Sequence, residues 1–414
     1  MSPVILYALL EKLNMKTPFY TLKMATLAAS TVLLTACFDS DDNDTPADEH
    51  EDHAHSLLIS QTNTTALSVL EEGTAENLED SAAANGATLL LADNGEAAAI
   101  ITTGAVEFVA AHHEEEETEA AHEDEHGLPE VSTLSVTGAD IKVANTNGHF
   151  SVLADNATQL VPYESLEEGE TPESEALGLG ITEVHPALLL EEGTELITVA
   201  FNGTNAVVYE DATATADTKT CATVNSTAQN SEFALVSCDG ASFSVKLEEG
   251  VSDHTIEIED IANISTAVEW STRADVFVGL GADDKFYVVE ENATESLELE
   301  GTGFAAPADM CAWGIDSASA DIFALTATAL TVYDHEGTAT DTITLDAAST
   351  CDKLKMATAS QAVFVIDNTS QTLYEIDKEA TSYHIHGRED VSVNDVASVV
   401  SFHELEAGDH AHSH

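Results

Sequence analysis

The chain has 414 residues, of which 76 are Asp or Glu and 12 are Lys or Arg, giving a formal net charge of −64. Such a charge repels phosphate backbones and excludes nucleic-acid binding, while it concentrates cations near the surface and keeps the protein soluble. The length allows a sizeable core, which a 6% aromatic content leaves mostly aliphatic.

The N-terminus reads as a targeting segment with no part in the fold. Lys16 and Lys23 form a basic region, and Met24–Leu34 is an apolar stretch too short to span a bilayer. It ends in Leu34-Thr35-Ala36-Cys37, which resembles the bacterial lipobox. That resemblance implies residues 1–36 as a cleaved signal peptide and Cys37 as the lipidated residue. Several acyl chains would anchor the protein durably. By resemblance to enterobacterial sorting rules, Phe38 in place of aspartate after the cysteine favours the outer membrane. The expected location is therefore the bacterial periplasm or cell surface, lipid-anchored. Residues 37–54 are an acidic, polar stretch, expected to be a disordered tether.

The body, 55–402, reads as many short strands. Apolar runs occur at Ser56–Ser60, Ala87–Leu91, Phe150–Leu153, Leu196–Phe201, Phe233–Ser237, Val276–Gly279, Ile322–Leu325 and Val363–Ile366. Several are followed by a polar turn and a second strand: Lys285–Val289, Ala329–Tyr333 and Thr372–Ile376. An all-β repeat of roughly 40 residues with several strands per unit predicts a β-propeller of about eight, or seven, blades. A pair of β-sandwiches is the alternative. Val396–Phe402 is the last strand, and propeller closure would pair it near Ser56–Ser60. Residues 111–130 form an insertion, and 403–414 a His-containing tail. Apart from Cys37 there are four cysteines, and an even number in an exported protein predicts disulfides. By proximity these are Cys221–Cys238, within one blade, and Cys311–Cys351, between neighbouring blades.

Histidine is concentrated in acidic surroundings. His112 to His126 (HHEEEETEAAHEDEH) includes His112, His113, His122 and His126. HEDHAH carries His53 and His55 near the start of the body, and DHAHSH ends the chain. Imidazole is the commonest ligand for a divalent transition metal, and carboxylate adds charge and coordination. A salty habitat accounts for acidity, but an acidic loop does not require histidine. His122 and His126 would share one side of a helical turn, with His112, His113 and a carboxylate completing a zinc set. His149 and His185 begin predicted strands and would make a second site if both pointed into the ring mouth. His384 and His386 alternate on a strand and would face one side as a chelating pair. His254 and His335 fall in turns.

At these residues the chain resembles the periplasmic β-propeller zinc metallochaperones that work beside zinc ABC importers. The anchors are Cys221 and Cys238-Asp239-Gly240, the histidine-led strands at His149 and His185, and the acidic His-containing insertion. The resemblance implies zinc (Zn2+) bound through insertion and strand histidines, and delivery to the importer's solute-binding protein. No nucleophile elbow, phosphate loop or HExxH occurs in the body, so no enzyme is expected. The expected function is an exported, lipid-anchored protein that captures or buffers zinc. The alternative is an acidic envelope scaffold or adhesin acting through protein partners.

Overall fold

A computed structural model describes residues 56–402, except 72–73, 79–84, 103, 111–129, 135, 137–139, 167–171, 193–194, 211, 231–232, 240, 249–254, 262–263, 265–267, 274–275, 291–302, 317, 347–348 and 394. The signal segment, Cys37, the tether, His53, His55, His112, His113, His122, His126 and the tail lie outside the described residues.

The described chain forms eight four-stranded antiparallel sheets, each a blade of a β-propeller. Blade 1 holds β1 (Ser56–Gln61), β2 (Leu67–Glu71) and β3 (Thr74–Asn77). Blade 2 is β4 (Thr88–Leu91), β5 (Ala97–Thr102), β6 (Ala105–Ala110) and β7 (Glu130–Leu134). Blade 3 is β8 (Lys142–Thr146), β9 (His149–Ala154), β10 (Ala157–Pro162) and β11 (Glu175–Ala176). Blade 4 is β12 (His185–Glu192), β13 (Glu195–Phe201), β14 (Asn205–Glu210) and β15 (Thr213–Thr220). Blade 5 is β16 (Val224–Gln229), β17 (Phe233–Cys238), β18 (Ala241–Glu248) and β19 (Thr255–Asp260). Blade 6 is β20 (Val268–Arg273), β21 (Val276–Gly281), β22 (Lys285–Glu290) and β23 (Phe304–Ala305). Blade 7 is β24 (Met310–Ile315), β25 (Ile322–Thr326), β26 (Ala329–Tyr333) and β27 (Ala339–Thr344). Blade 8 is β28 (Leu354–Ala359), β29 (Ala362–Asp367), β30 (Thr372–Glu379) and β31 (Ser382–Asp390). The last strand, β32 (Val396–Phe402), returns to blade 1 and becomes its innermost strand, paired with β1 from Ser56↔Phe402 to Gln61↔Val396.

A twisted sheet with two apolar faces must bury both, and a ring lets each blade do so against its two neighbours. One buried cluster accordingly fills each of the eight blade interfaces. Between blades 2 and 3, the tilted rings of Phe108 and Phe150 have centroids 5.2 Å apart and Tyr163 meets Phe150 edge-on at 4.8 Å. The second strand of a blade is sandwiched on both faces and reads as an unbroken apolar run; every residue of β17 and of β29 is buried. Seven of the eight apolar runs found in the sequence are these second strands. The eighth, Ala87–Leu91, overlaps the first strand of blade 2, whose second strand is the alanine-rich β5.

The innermost strands run parallel around the channel and are stitched by polar side chains. Serines on second strands reach the next blade: Ser60 Oγ donates to Ala87 O (2.6 Å), Ser151 Oγ donates to Ala187 O (2.7 Å), and Ser237 Oγ accepts from Val268 N (2.8 Å). Thr146 Oγ1 donates to Gln229 Oε1 and accepts from Leu189 N, joining blades 3, 4 and 5. Both disulfides pair as the sequence suggests. Cys221–Cys238 ties the approach to blade 5 to the end of its second strand, with Cα atoms 5.5 Å apart. Cys311–Cys351 joins blade 7 to the turn leading into blade 8, with Cα atoms 4.7 Å apart.

Candidate metal sites

Strand direction decides which histidines share a face of the ring. Neighbouring inner strands are in parallel register: Lys142 Nζ reaches Val184 O at the start of β8 and β12, and Asn145 Nδ2 reaches Leu91 O at the ends of β8 and β4. The face at which first strands end is called the exit face here. Antiparallel pairing then puts second strands' starts, third strands' ends and fourth strands' starts on it.

Four features meet at that face. The chain joins blade 1 there at Ser56, opposite Phe402, after which the tail leaves. The insertion departs there after Ala110 and returns at Glu130, which pairs with Ala110. His149 lies there, opposite Thr146. β31 starts at that face opposite Glu379, with His384 its third residue and His386 its fifth of nine.

His185 lies at the opposite face. It begins β12 beside Lys142, whereas His149 lies beyond Thr146 at the other end of the neighbouring inner strand. Four residues of strand separate these ends by about 13 Å, so the two histidines cannot share one zinc ion. His185 is packed. Its ring meets Phe201 edge-on at 5.3 Å, and its Nδ1 is 3.0 Å from Pro186 O. Burial, assisted by Lys142, lowers its pKa from 6.5 to about 4, against the contact with Pro186. The folded protein therefore holds a neutral imidazole while the unfolded chain takes up a proton below pH 6.5. Its contribution is complete above that value and is lost as pH falls toward 4. On the order of 3 kcal/mol should go, from about 1.4 kcal/mol per pH unit. Urea unfolding at stepped pH, compared with His185→Phe, isolates this slope from that of the carboxylates. Parallel slopes in the two proteins would show that His185 ionises freely when folded.

His149 Nδ1 is 2.7 Å from Asn147 O, which orients its ring within the turn and leaves Nε2 as its other nitrogen. His335 sits exposed in a turn. His384 and His386 have the richest surroundings. His384 Nε2 is 2.6 Å from Glu379 Oε1, and His386 Nδ1 is 3.8 Å from Asp377 Oδ2. Asp377 is the Cα partner of His384. Burial raises the Asp377 carboxyl above its ordinary value, against the pull of His386 and His384. Its Oδ1 is buried without a hydrogen-bond partner. Sequence alone offered the two histidines; Asp377 and Glu379 emerge only from the pairing of β30 with β31. Among the described residues, no group of three or more His, Cys, Asp or Glu side chains is placed to hold a metal ion, and these four stand as two pairs.

No protein-family model and no curated protein matches the chain. Among solved structures it is similar to apo AztD from Citrobacter koseri, with 16% identity over 84% of this chain and 97% of that chain, and a TM-score of 0.65. A second structure of Citrobacter koseri AztD matches with 15% identity, the same coverage and a TM-score of 0.62. At that identity the likeness is one of fold.

Proposed function

We propose that this protein is an exported, lipid-anchored zinc binder that captures or buffers zinc and passes it to the solute-binding protein of a zinc importer. The observation that carries the reading is the common exit face. The attachment points of three His/acid segments, at Ser56, at Ala110 and Glu130, and at Phe402, all open on the side that also holds His149 and the His384–His386 pair. A ring that gathers imidazole and carboxylate on one face concentrates zinc there, and the net charge of −64 adds a long-range attraction for cations. Resemblance to the periplasmic zinc metallochaperones supports transfer as the purpose, and the fold shared with AztD extends over 84% of the chain. The reading assigns the protein no catalysis.

Zinc titration of the full chain, by calorimetry with a competing chelator, tests it. Submicromolar sites are expected, and they should weaken or vanish when His112, His113, His122 and His126 are all changed to Ala. Affinity should fall with pH as the ligand imidazoles protonate. Weak, salt-sensitive binding that ignores the four changes would leave an acidic envelope scaffold instead.

A further inference from the structure

From the pairing of β30 with β31, we infer that the outer edge of blade 8 carries a divalent transition-metal site of its own, built from His384, His386, Asp377 and Glu379. It rests on the reading of the chain as a zinc binder but uses none of the insertion.

The strand pattern supplies the ligands. Tyr374 and Ile376 of β30 pack toward blade 7, and Leu373 packs toward blade 1. Alternation therefore puts Glu375, Asp377 and Glu379 on the blade 1 side. His384 is directly opposite Asp377. The register then slips, with Ile376 opposite Ile385 and Glu375 opposite Gly387, so His386 is an additional residue in β31. Bulges of this kind re-aim a side chain, and here His386 comes within 3.8 Å of the carboxylate that His384 also faces. Gly387 keeps the neighbouring position open: a Cβ there would stand 3.1 Å from Glu375 Oε2.

The other face of the strand pair holds this arrangement in place. Lys378 and Tyr383, Cα partners between Asp377 and His384 on one side and Glu379 on the other, are fixed by Asp316 and Asp321 of blade 7. Ligands presented by anchored strands lose little freedom on binding.

Two imidazoles and two carboxylates match the donor set of zinc, cobalt or nickel, with hard and intermediate ligands and no thiolate. In the absence of metal, a proton between His384 Nε2 and Glu379 Oε1 holds those atoms at 2.6 Å. Exchanging that proton for zinc opens the separation to about 3.3 Å, as two bonds of about 2.0–2.1 Å at a tetrahedral angle require. Both side chains are partly exposed, at 41% and 59%, and have room for that movement. The unpartnered Oδ1 of Asp377 gains a cation for a neighbour. The proton displaced from His384 leaves to solvent.

Cobalt titration of the full chain with His50, His53, His55, His112, His113, His122, His126, His149, His410, His412 and His414 all changed to Ala removes the other clustered histidines and reads this site. One equivalent should develop the visible absorption of low-symmetry, four-coordinate cobalt, and zinc should bleach it. His384→Ala with His386→Ala should abolish the signal, and Asp377→Asn should weaken binding roughly tenfold or more while preserving shape. Matching urea midpoints identify folded variants; should the double change unfold the protein, Asp377→Asn and His386→Ala alone decide. An unchanged cobalt spectrum and stoichiometry in the folded variants overturns the site. That result leaves the zinc binding of the other histidines untouched, whereas loss of all binding in the background variant, with blade 8 intact, places capture elsewhere and equally overturns the site.

Discussion

Changing Asp316 to Ala is expected to destabilise the propeller by about 2–4 kcal/mol, the cost of removing a buried carboxylate that accepts five hydrogen bonds. Asp316 is 0% exposed at the turn between β24 and β25. Its Oδ1 accepts from the backbone N–H groups of Ala318 (2.7 Å), Ser319 (3.3 Å) and Gln361 (3.1 Å). Its Oδ2 accepts from Ser319 Oγ (2.9 Å) and from Tyr383 Oη (2.5 Å). Burial pushes this carboxyl up, but those donors, Tyr383 first, hold it below its ordinary value. Gln361 and Tyr383 belong to blade 8, so one carboxylate closes a turn of blade 7 and bolts it to the next blade. Alanine leaves the buried Tyr383 hydroxyl without this acceptor, where an unmade bond costs about 1–3 kcal/mol, while the donors of the exposed Ala318, Ser319 and Gln361 turn to water at a smaller cost.

Tyr383→Phe should cost less, about 1–2 kcal/mol, because Asp316 keeps its other donors. The two changes should be non-additive, since they share a bond. Urea unfolding of both single variants and the pair measures the coupling; strict additivity would mean the hydroxyl and carboxylate act separately. The pH dependence has a definite sign. A carboxyl held low in the folded state contributes fully above its unfolded value, near 3.8, and loses that contribution as pH falls through the lower folded value. Asp316→Ala should therefore flatten the acid limb of the stability curve.

The parts of the fold legible in the sequence were those where burial is two-sided. Phe233–Cys238 and Ala362–Asp367 are apolar because blades press on both faces, so continuous runs marked the blades and their spacing gave the count. Blade 2 was misaligned because Ala97–Thr102 packs small side chains and lacks the β-branched and aromatic signal at its start. Outer strands such as Thr213–Thr220 are mostly exposed and carry no apolar signal at all. The metal candidates divide similarly. A His-x-His spacing is visible in any sequence, but with 76 acidic residues no carboxylate can be chosen as a partner without knowing which strand pairs with which. The register of β30 against β31 makes that choice. His185 looked like a ligand because it leads a strand; only the contact with Phe201 and the parallel register of the inner strands place it packed, and on the other face.

Ending the chain at Asp395 should abolish cooperative folding, because it removes the innermost strand of blade 1. β32 pairs with β1 along six residues, and Val396, Val399 and Phe402 are 2%, 7% and 3% exposed. Burying each contributes about 1.5–3 kcal/mol, which together approaches the 5–15 kcal/mol that stabilises a typical domain. Polar contacts vanish with it: Asn368 exchanges hydrogen bonds with Val396 at 2.7 and 3.0 Å, and Ser398 Oγ accepts from Leu89 N at 3.2 Å. Without β32, β1 is an open apolar edge, and blades 8 and 2 lose the wall that closes the ring. Phe402→Ala tests the same strand more gently. It should cost about 3–5 kcal/mol, with the cavity lying between blades 1 and 2, where Phe402 packs beside Leu58, Leu89 and Val109. Circular dichroism and urea unfolding follow both variants. A truncated chain that still unfolds in one sharp transition would show that seven blades and a partial eighth suffice. The closing strand matters to the metal reading as well, because Ser56 and Phe402 are Cα partners at the exit face. The pairing that closes the ring therefore sets the first and last described residues side by side at that face. A Phe402→Ala protein that remains folded should therefore keep the blade 8 cobalt site, which depends only on β30, β31 and their anchor in blade 7.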